Sequence, residues 1–317
     1  MMNKILVLGG TGFVGRSVCE RLAARSASGS IVVPTRRLIH GSRLRALPTI
    51  ELTELNVHDD GQLARALVGV DAVVNLIAIL HGSQADFQHV HVELPRRLAA
   101  ACGKAGVRRL VHVSALGVGP DAPSNYLRSK TAGEALLKGA GLDLTLLRPS
   151  VIFGAEDKFL NVFAQLQAVA PVMPLAGSGA QFQPVWVEDV ASAVVHCLDH
   201  PETIGQTYEC VGPRVCTLSE LVRLAGRWSG NERPQIPLPA FAGRMQARLM
   251  EMLPGEPLMS RDNVDSMRTP NIASGKLPGL DALSISAAAL EAVAPGYLGA
   301  GSGPARFNRF RAGAGRG

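Results

Sequence analysis

The sequence has no apolar run long enough to span a membrane. The longest nearly uninterrupted apolar stretch, AVVNLIAIL, is about half the roughly 20 residues that a transmembrane helix needs. The first residues, MMNKILVLGG, lack the long h-region and the cleavage site of a secretory signal. We therefore expect a soluble, cytoplasmic protein, with peripheral association on the inner face of the cell membrane as the alternative.

Cysteine is scarce and never paired in sequence. The five cysteines are an odd number and are widely spaced, without a CxxC motif. This pattern argues against a disulfide framework and against a zinc site. We expect most of the thiols to be buried and we expect no bound metal.

A nucleic-acid-binding surface is also missing. The formal net charge is +6, but four arginines after Gly303, in a stretch without acids, account for most of it. The chain has no basic helix, no aromatic RNA-binding signature and no zinc finger. Nucleic acid is therefore not an expected partner, and residues 301–317 are interpreted as a disordered basic tail, with contact to an acidic partner or anionic lipid as the alternative.

The pattern that is present is an alternation of strands and helices. Apolar β-rich runs such as KILVL, IVVPT and RLVHVSA alternate with helical segments through the first half of the chain. This spacing predicts a doubly wound α/β fold with a parallel sheet. We expect a nucleotide-binding domain at residues 1–150, extended to about residue 230, and a smaller, mostly helical lobe at 151–300 interleaved with it. Pro95 is expected to kink or split the long helix that contains it.

The stretch GGTGFVG directly follows the first predicted strand and opens a helix. Glycine at these positions permits a tight turn, close approach of backbone N–H groups to a pyrophosphate, and close packing of helix against strand. The position of the motif favours a Rossmann-type dinucleotide site over a glycine turn of purely structural origin. The residues assigned to the nucleotide here are Gly9, Thr11, Gly12, Phe13, Val14 and Gly15.

The end of the second strand bears on the choice of dinucleotide. An NAD site usually places an acid there to accept from the ribose 2′-hydroxyl, whereas this chain has Thr35, Arg36 and Arg37. Two guanidinium groups suit a 2′-phosphate, so NADP(H) is favoured over NAD(H). The alternative is that one or both arginines are solvated surface charges.

Further nucleotide contacts are assigned by their position at strand ends. Asn56 and Val57 are expected at the adenine, and Ile77 and Ala78 at the ribose. Pro149 and Ser150 follow Arg148, and this stretch should border the nicotinamide carboxamide. Arg148 itself could instead pair with a carboxylate.

The segment YLRSK places Tyr126 and Lys130 one helical turn apart, on the same helix face. A nearby ammonium would lower the phenol pKa from about 10 and make Tyr126 a usable acid or base. Ser114 ends the strand RLVHVSA, at the sheet edge where ligands bind, and could donate to a substrate carbonyl. Ser114, Tyr126 and Lys130 are the catalytic candidates.

In this order, the glycine motif and these three residues resemble the short-chain dehydrogenase/reductase superfamily, of the extended kind related to NAD-dependent epimerases and dehydratases. The resemblance covers residues 3 to 230. The strings HVSALGV, YLRSKTAGE, LRPSVIFGAEDKFLN and QPVWVEDVA are similar to the branch that contains the NAD(P)H-binding accessory subunit of respiratory complex I and its bacterial relatives.

The resemblance implies that Tyr126 transfers a proton, that Lys130 also holds the nicotinamide ribose, and that Ser114 orients a small-molecule substrate. It implies an NADP(H)-dependent oxidoreductase, and it leaves two alternatives: a non-catalytic, nucleotide-loaded subunit or assembly factor of a respiratory complex, and a nucleotide-sugar epimerase or dehydratase. His91 departs from the pattern, because many members have asparagine there. The segment MQARLMEMLPGEPLM is interpreted as a wall of the substrate pocket or as a partner-facing helix.

Overall fold

The computed structural model describes residues 2–25, 29–252, 255 and 257–299. The predicted basic tail, 301–317, lies outside the described residues. The described chain divides into two compact units. Residues up to 150, with 187–210 and 273–286, form the first unit, and residues 151–186, 211–272 and 287 onward form the second.

The strands follow the predicted apolar runs through the first half of the chain. They are β1 Lys4–Leu8, β2 Ser30–Thr35, β3 Ile50–Glu54, β4 Ala72–Asn75, β5 Arg109–Val113, β6 Asp143–Pro149, β7 Ile152–Phe153, β8 Met173–Ala176, β9 Gln181–Phe182, β10 Val185–Trp186, β11 Thr207–Cys210, β12 Cys216–Thr217 and β13 Gln235–Leu238.

The α-helices lie between most of the first six strands, with a 3₁₀ helix, Leu38–Ala46, between β2 and β3, and more of them follow in the later part of the chain. They are α1 Phe13–Arg25, α2 Asp60–Ala66, α3 Gln84–Gln88, α4 Leu94–Ala105, α5 Asn125–Lys138, α6 Leu160–Val169, α7 Val187–Asp199, α8 Leu218–Ser229, α9 Ala240–Glu251, α10 Arg261–Ser266 and α11 Leu290–Leu298.

The first unit is built on a seven-stranded sheet in the order β11-β6-β5-β4-β1-β2-β3. Every neighbouring pair in it is parallel. All residues of β4 and β5 are buried, as expected for strands covered on both faces. The predicted doubly wound, Rossmann-type α/β fold is confirmed. The carboxyl ends of β1, β2, β4, β5 and β6 all lie at one edge of this sheet.

The helix that contains Pro95 is split, as predicted. A single π-helical turn, His89–Glu93, separates α3 from α4, and Pro95 lies in the first turn of α4. Proline is tolerated there because the first N–H groups of a helix have no intrahelical partner. The π turn shifts the helix register where His91 enters the core.

The second unit packs its helices around Phe153, Leu160, Leu221 and Leu290, all of which are buried. Helix α8 begins with a capping box in which Thr217 and Glu220 satisfy each other's backbone N–H groups. The parallel pair β8 and β13 forms a separate small sheet in this unit.

All five cysteines are free and buried, as expected. Burial raises the pKa of Cys19 to about 12, which keeps that thiol protonated. Within the described ranges, no helix is both long enough and apolar enough to cross a membrane.

Candidate nucleotide and proton-transfer site

The glycine motif forms a tight turn between β1 and α1. Gly9 has a φ of +82°, a conformation that favours glycine, and its carbonyl accepts the N–H of Gly12 at 3.0 Å. A Cβ at Gly15 would collide with the carbonyl oxygen of Gly9 and would lie 2.6 Å from the Cα of Gly10. The absence of a side chain at Gly15 therefore lets the helix pack against the turn. Thr11 lies in the turn itself, and Phe13 and Val14 are the first residues of α1.

The same turn packs against the chain that leaves β4. A Cβ at Gly9 would lie 3.2 Å from the backbone nitrogen of Ile77. Asn75, which is buried at the end of β4, accepts the N–H of Ile77 at 3.2 Å and so fixes this chain segment. Ile77 is thus held beside the glycine turn, and Ala78 is the exposed residue next to it.

At the end of β2, Thr35 is buried, and its hydroxyl donates to the carbonyl of Arg37 at 3.0 Å. The side chains of Arg36 and Arg37 are exposed. Arg16, in the first turn of α1, has a further arginine nearby, since burial and then the charge of Arg43 lower its pKa. The edge of the sheet next to the glycine turn is therefore positively charged.

Asn56 and Val57 follow β3, one strand further from the glycine turn. The side chain of Asn56 accepts the N–H of His58 at 3.0 Å, while its own N–H donates to Gln62 at 2.8 Å. Asn56 is exposed and Val57 is buried in the core. In this position, Asn56 shapes the turn into α2.

At the other end of the edge, Pro149 and Ser150 are bonded into the sheet through their main chain. The carbonyl of Pro149 accepts from Leu116 at 2.9 Å, and the N–H of Ser150 donates to Cys210 at 3.0 Å. Both residues are buried at the carboxyl end of β6, three strands from β1.

Ser114 directly follows β5. Its N–H donates to Leu147 at 2.7 Å, and its side chain is buried. Its hydroxyl oxygen has no hydrogen-bond partner among the described residues. A buried hydroxyl without a partner costs free energy, so its presence at a ligand-binding edge requires an explanation.

Tyr126 and Lys130 lie on α5, which begins at the N-cap Ser124; the Ser124 side chain accepts from Leu127 at 3.2 Å. Lys130 is only 2% exposed, and its ammonium donates to the carbonyl of Val113 at 3.0 Å. Because Val113 precedes Ser114, this bond joins the middle of α5 to the end of β5.

Burial determines the ionisation of both groups. It lowers the pKa of Lys130 to about 8, while the nearby Glu134 carboxylate acts in the opposite direction. It raises the pKa of Tyr126 to about 12. The second direction is opposite to the sequence-based expectation, because burial removes the water that would solvate the phenolate.

Glu134 continues the Tyr126–Lys130 face by one more turn. It is buried and forms a two-bond ion pair with Arg148 on β6, at 3.0 Å from Nε and 2.6 Å from a terminal nitrogen. Of the two roles considered for Arg148, the structure shows pairing with a carboxylate. The four-residue spacing after Lys130 was the available signal for Glu134.

His91 links the chain segment after β4 to helix α5. Its Nε2 accepts the N–H of Ile79 at 3.1 Å, and its Nδ1 lies 2.9 Å from the hydroxyl of Ser129. The Ser129 hydroxyl also donates to the carbonyl of Tyr126 at 2.7 Å. Since Nε2 is an acceptor, the neutral ring has its proton on Nδ1 and donates it to Ser129.

The role of His91 as a neutral link agrees with its environment. Burial, followed by the charge of Lys130, lowers the pKa of His91 to about 3. Its ring also meets Phe87 and Tyr126 at centroid distances of 5.6 and 5.4 Å. His91 therefore fixes the segment after β4 relative to α5. Together with Asn75 and Ser129, it is a site residue whose role sequence reasoning missed.

Comparison with known proteins covers the part of the chain that contains these residues. The profile of the NAD dependent epimerase/dehydratase family matches residues 5–210. The chain belongs to this family. The match confirms the resemblance seen in the sequence, and it runs from the second residue of β1 to the end of β11.

One relative is the NADH dehydrogenase [ubiquinone] 1 alpha subcomplex subunit 9, mitochondrial, of Mus musculus. It is 32% identical to this chain, and the alignment covers 90% of this chain and 77% of the mouse protein. A reductase of Streptomyces griseus, named for (4-alkanoyl-5-oxo-2,5-dihydrofuran-3-yl)methyl phosphate, is 32% identical over 70% of this chain and 74% of its own. The dTDP-glucose 4,6-dehydratase DesIV of Streptomyces venezuelae, determined with NAD bound, shares the fold with a TM-score of 0.64. It is 23% identical and covers 74% of this chain and 85% of its own.

In this epimerase/dehydratase family member, the predicted residues form two connected groups. The glycine turn and Ile77 are in direct contact, and Ser114 and Lys130 are joined through Val113. Arg36 and Arg37 follow β2, the strand next to β1, and Asn56 follows β3, the strand beyond it. Pro149 and Ser150 lie on the opposite side of β1. These residues share one edge of the sheet and occupy different positions along it.

Proposed function

We propose that this protein is an NADP(H)-dependent oxidoreductase that reduces a small carbonyl compound. In this proposal, Tyr126 donates the proton, Lys130 holds the nicotinamide ribose and Ser114 orients the substrate. The observation that carries it is the buried, unpartnered hydroxyl of Ser114, which a substrate oxygen would satisfy. Lys130 lies beside it, bonded to the preceding residue.

The residues present fit a dinucleotide. A side chain at Gly15 would collide with the glycine turn, so only glycine lets α1 pack this closely against it. The N-terminus of α1 lies at this turn, where its free N–H groups can bind an anion. The exposed Arg36 and Arg37 suit a 2′-phosphate, and residues 35–37 include no acid that would prefer a free 2′-hydroxyl. The adenine would lie toward Asn56 and Val57, and the nicotinamide toward Pro149 and Ser150.

The ionisation states favour the direction of reduction. A phenol with a pKa of about 12 retains its proton at neutral pH, so Tyr126 is ready to donate to a carbonyl oxygen as negative charge develops on it. The Ser114 hydroxyl donates to the same oxygen, and the Lys130 ammonium offers a buried positive charge nearby. A bound nicotinamide would supply the hydride. The Streptomyces griseus relative, named as a reductase, supports this class of reaction.

A second candidate function is that of a nucleotide-loaded subunit or assembly factor of a respiratory complex. The 32% identity to a complex I subunit over 90% of this chain supports it. In that case, Tyr126 and Lys130 would bind the ribose without turnover. A nucleotide-sugar epimerase or dehydratase is a third reading, supported by the family match. We propose a cytoplasmic location for all three, with peripheral association on the inner face of the cell membrane in the second.

The decisive experiment compares wild type with Tyr126→Phe, which removes only the hydroxyl. NADPH oxidation is followed with a panel of small carbonyl compounds, and NADPH affinity is measured in parallel. The proposal expects turnover to fall by about 10²–10⁴-fold, with nearly unchanged affinity. A wild-type protein that binds NADPH, turns over no carbonyl and migrates with complex I on a native gel would instead establish the subunit function.

A further inference from the structure

Helix α9 presents apolar side chains to solvent. Phe241, Met245, Leu249 and the C-cap residue Met252 are 75%, 59%, 60% and 75% exposed. Their spacing of four, four and three residues places them in one stripe along the helix. A surface helix of a globular protein normally has polar residues on its outer face. Here the outer face is the apolar one, and we call these four residues the α9 stripe.

The inner face of α9 is already occupied. Gly243 and Ala247 are buried, and a Cβ at Gly243 would come within 2.6 Å of the Cβ of Ala176 on β8. Small residues thus let the helix backbone approach β8 closely. Because this contact fixes the rotation of α9, the outward direction of the stripe is a property of the folded second unit.

The border of the α9 stripe is cationic. Arg244 and Arg248 are exposed and lie within about 80° of the stripe on the helical wheel. Arg244 pairs with Asp265 and Arg261 pairs with Glu251, and in each pair the arginine side chain is the more exposed partner, at 53% against 20% and 54% against 25%. The guanidinium groups beside the stripe are therefore more accessible to a partner than the carboxylates that pair with them.

The size of the stripe favours a lipid surface over a protein partner. If a large side chain offers about 200 Å², four that are two-thirds exposed present on the order of 500 Å². A standard protein interface buries about 800 Å² on each partner. An interfacial helix, by contrast, needs only a narrow apolar stripe that enters the headgroup region, with arginines beside it to contact anionic lipid.

We propose that the α9 stripe docks the protein on the surface of an anionic phospholipid bilayer, with Arg244 and Arg248 at the phosphate level. Phe241, Met245, Leu249 and Met252 enter the headgroup and acyl boundary. The attachment is peripheral, and it uses a face of the second unit that lies on a different element from every residue assigned to nucleotide or proton transfer.

The test is sedimentation of the full-length protein with two kinds of vesicle. One contains phosphatidylcholine alone, and the other also contains about one-third phosphatidylglycerol, an anionic lipid. Binding is expected to the anionic vesicles and to weaken with salt. Arg244→Gln/Arg248→Gln should weaken it about 25-fold, at about fivefold for each arginine. Phe241→Ser/Leu249→Ser should weaken it more than tenfold.

The matched control is Val68→Ser/Arg96→Gln, which removes an exposed valine and an exposed arginine from the first unit. It should bind vesicles like wild type, and circular dichroism and NADPH affinity should be unchanged in all three variants. Absence of vesicle binding by wild type would overturn the proposal. So would binding that the stripe variants retain, or a dimer of the wild type, seen by light scattering, that the stripe variants abolish.

Discussion

Gly133 of α5 lies directly against the carbonyl oxygen of His91 in the π-helical turn. A Cβ placed on Gly133 would collide with that oxygen, and it would lie 3.6 Å from Pro95. The atom in the way is backbone, which cannot rotate aside as a flexible side chain can. This contact sets the distance between α5, which bears Tyr126 and Lys130, and the segment that His91 holds.

Gly133→Ala is therefore expected to destabilise the protein by about 1–3 kcal/mol, because the added methyl group must push α5 away from the π turn. NADPH affinity should fall as well, since Lys130 moves with the helix. Urea denaturation and a fluorescence titration measure the two effects. Gly103→Ala is the control: it is also helical, but nothing lies within 4 Å of its Cβ, so stability should stay the same or rise. Equal effects of the two substitutions would refute the packing argument.

His91→Phe tests the hydrogen-bonded link. The aromatic ring can keep its packing against Phe87 and Tyr126, but the N–H of Ile79 loses its acceptor. The N–H of Ile79 is only partly buried, so the lost hydrogen bond should lower the free energy of unfolding by about 1 kcal/mol. NADPH affinity should also weaken, because Ile77 lies two residues from Ile79. Of the two hydrogen bonds of His91, Ser129→Ala removes only the one between the Ser129 hydroxyl and Nδ1. It should therefore lower the free energy of unfolding by less than His91→Phe does.

The depressed pKa of Lys130 predicts opposite trends of binding and stability with pH. As pH rises through about 8, the ammonium becomes an amine, so NADPH affinity should decrease. An unfolded lysine keeps its proton up to about pH 10.4. The unfolded chain therefore binds more protons between about pH 8 and 10.4, and this group makes the folded state more stable as pH rises through that window. Lys130→Met should abolish both trends, and a profile that the variant leaves unchanged would assign them to another group.

Arg36→Ala/Arg37→Ala tests the preference for a 2′-phosphate. NADPH affinity should fall by about 10–100-fold, the equivalent of one charge-assisted hydrogen bond, while NADH affinity stays nearly constant. Isothermal titration with both nucleotides measures the ratio. Arg45→Ala, which removes another exposed arginine from the segment after β2, is the control. A double variant that keeps the wild-type preference for NADPH over NADH would show that the two arginines are surface charges only.

The ion pair between Glu134 and Arg148 gives the largest expected loss of stability. Arg148→Met leaves a buried carboxylate without its two hydrogen bonds, which should cost about 3–5 kcal/mol. Glu134→Met/Arg148→Met removes both charges and should recover most of that loss. Thermal unfolding of the two variants distinguishes the cases, and a double variant no more stable than Arg148→Met would show that packing, and not charge, determines the outcome.

Local spacing accounts for what the sequence could predict. The glycine turn, the alternation of strands and helices, and the position of Tyr126 and Lys130 one turn apart on a helix all depend on residues a few positions apart. Each is confirmed as a structural feature, since short-range geometry follows from periodicity and turn chemistry. Glu134 belongs to the same class, because it lies one turn beyond Lys130.

Contacts between distant segments could not be predicted in this way. His91 and Ser129 are 38 residues apart, and Asn75 and His112, whose side chains lie 3.1 Å apart, are separated by 37. The π turn that brings His91 inward has no periodic signature of its own. The wrong direction for the Tyr126 pKa has the same origin, because burial depends on the whole fold and a motif does not reveal it.

The last strand of the seven-stranded sheet, β11, lies far along the chain from its neighbour β6. Strand β11 completes the sheet beside β6, yet the chain that joins them first builds β7 to β10, α6 and α7. As the chain leaves the ribosome, β6 therefore has an unpaired edge until residues 207–210 have been made. Such an edge can pair with another chain. A chain cut after residue 150 would lack β11 and would therefore leave this edge of β6 open to such pairing.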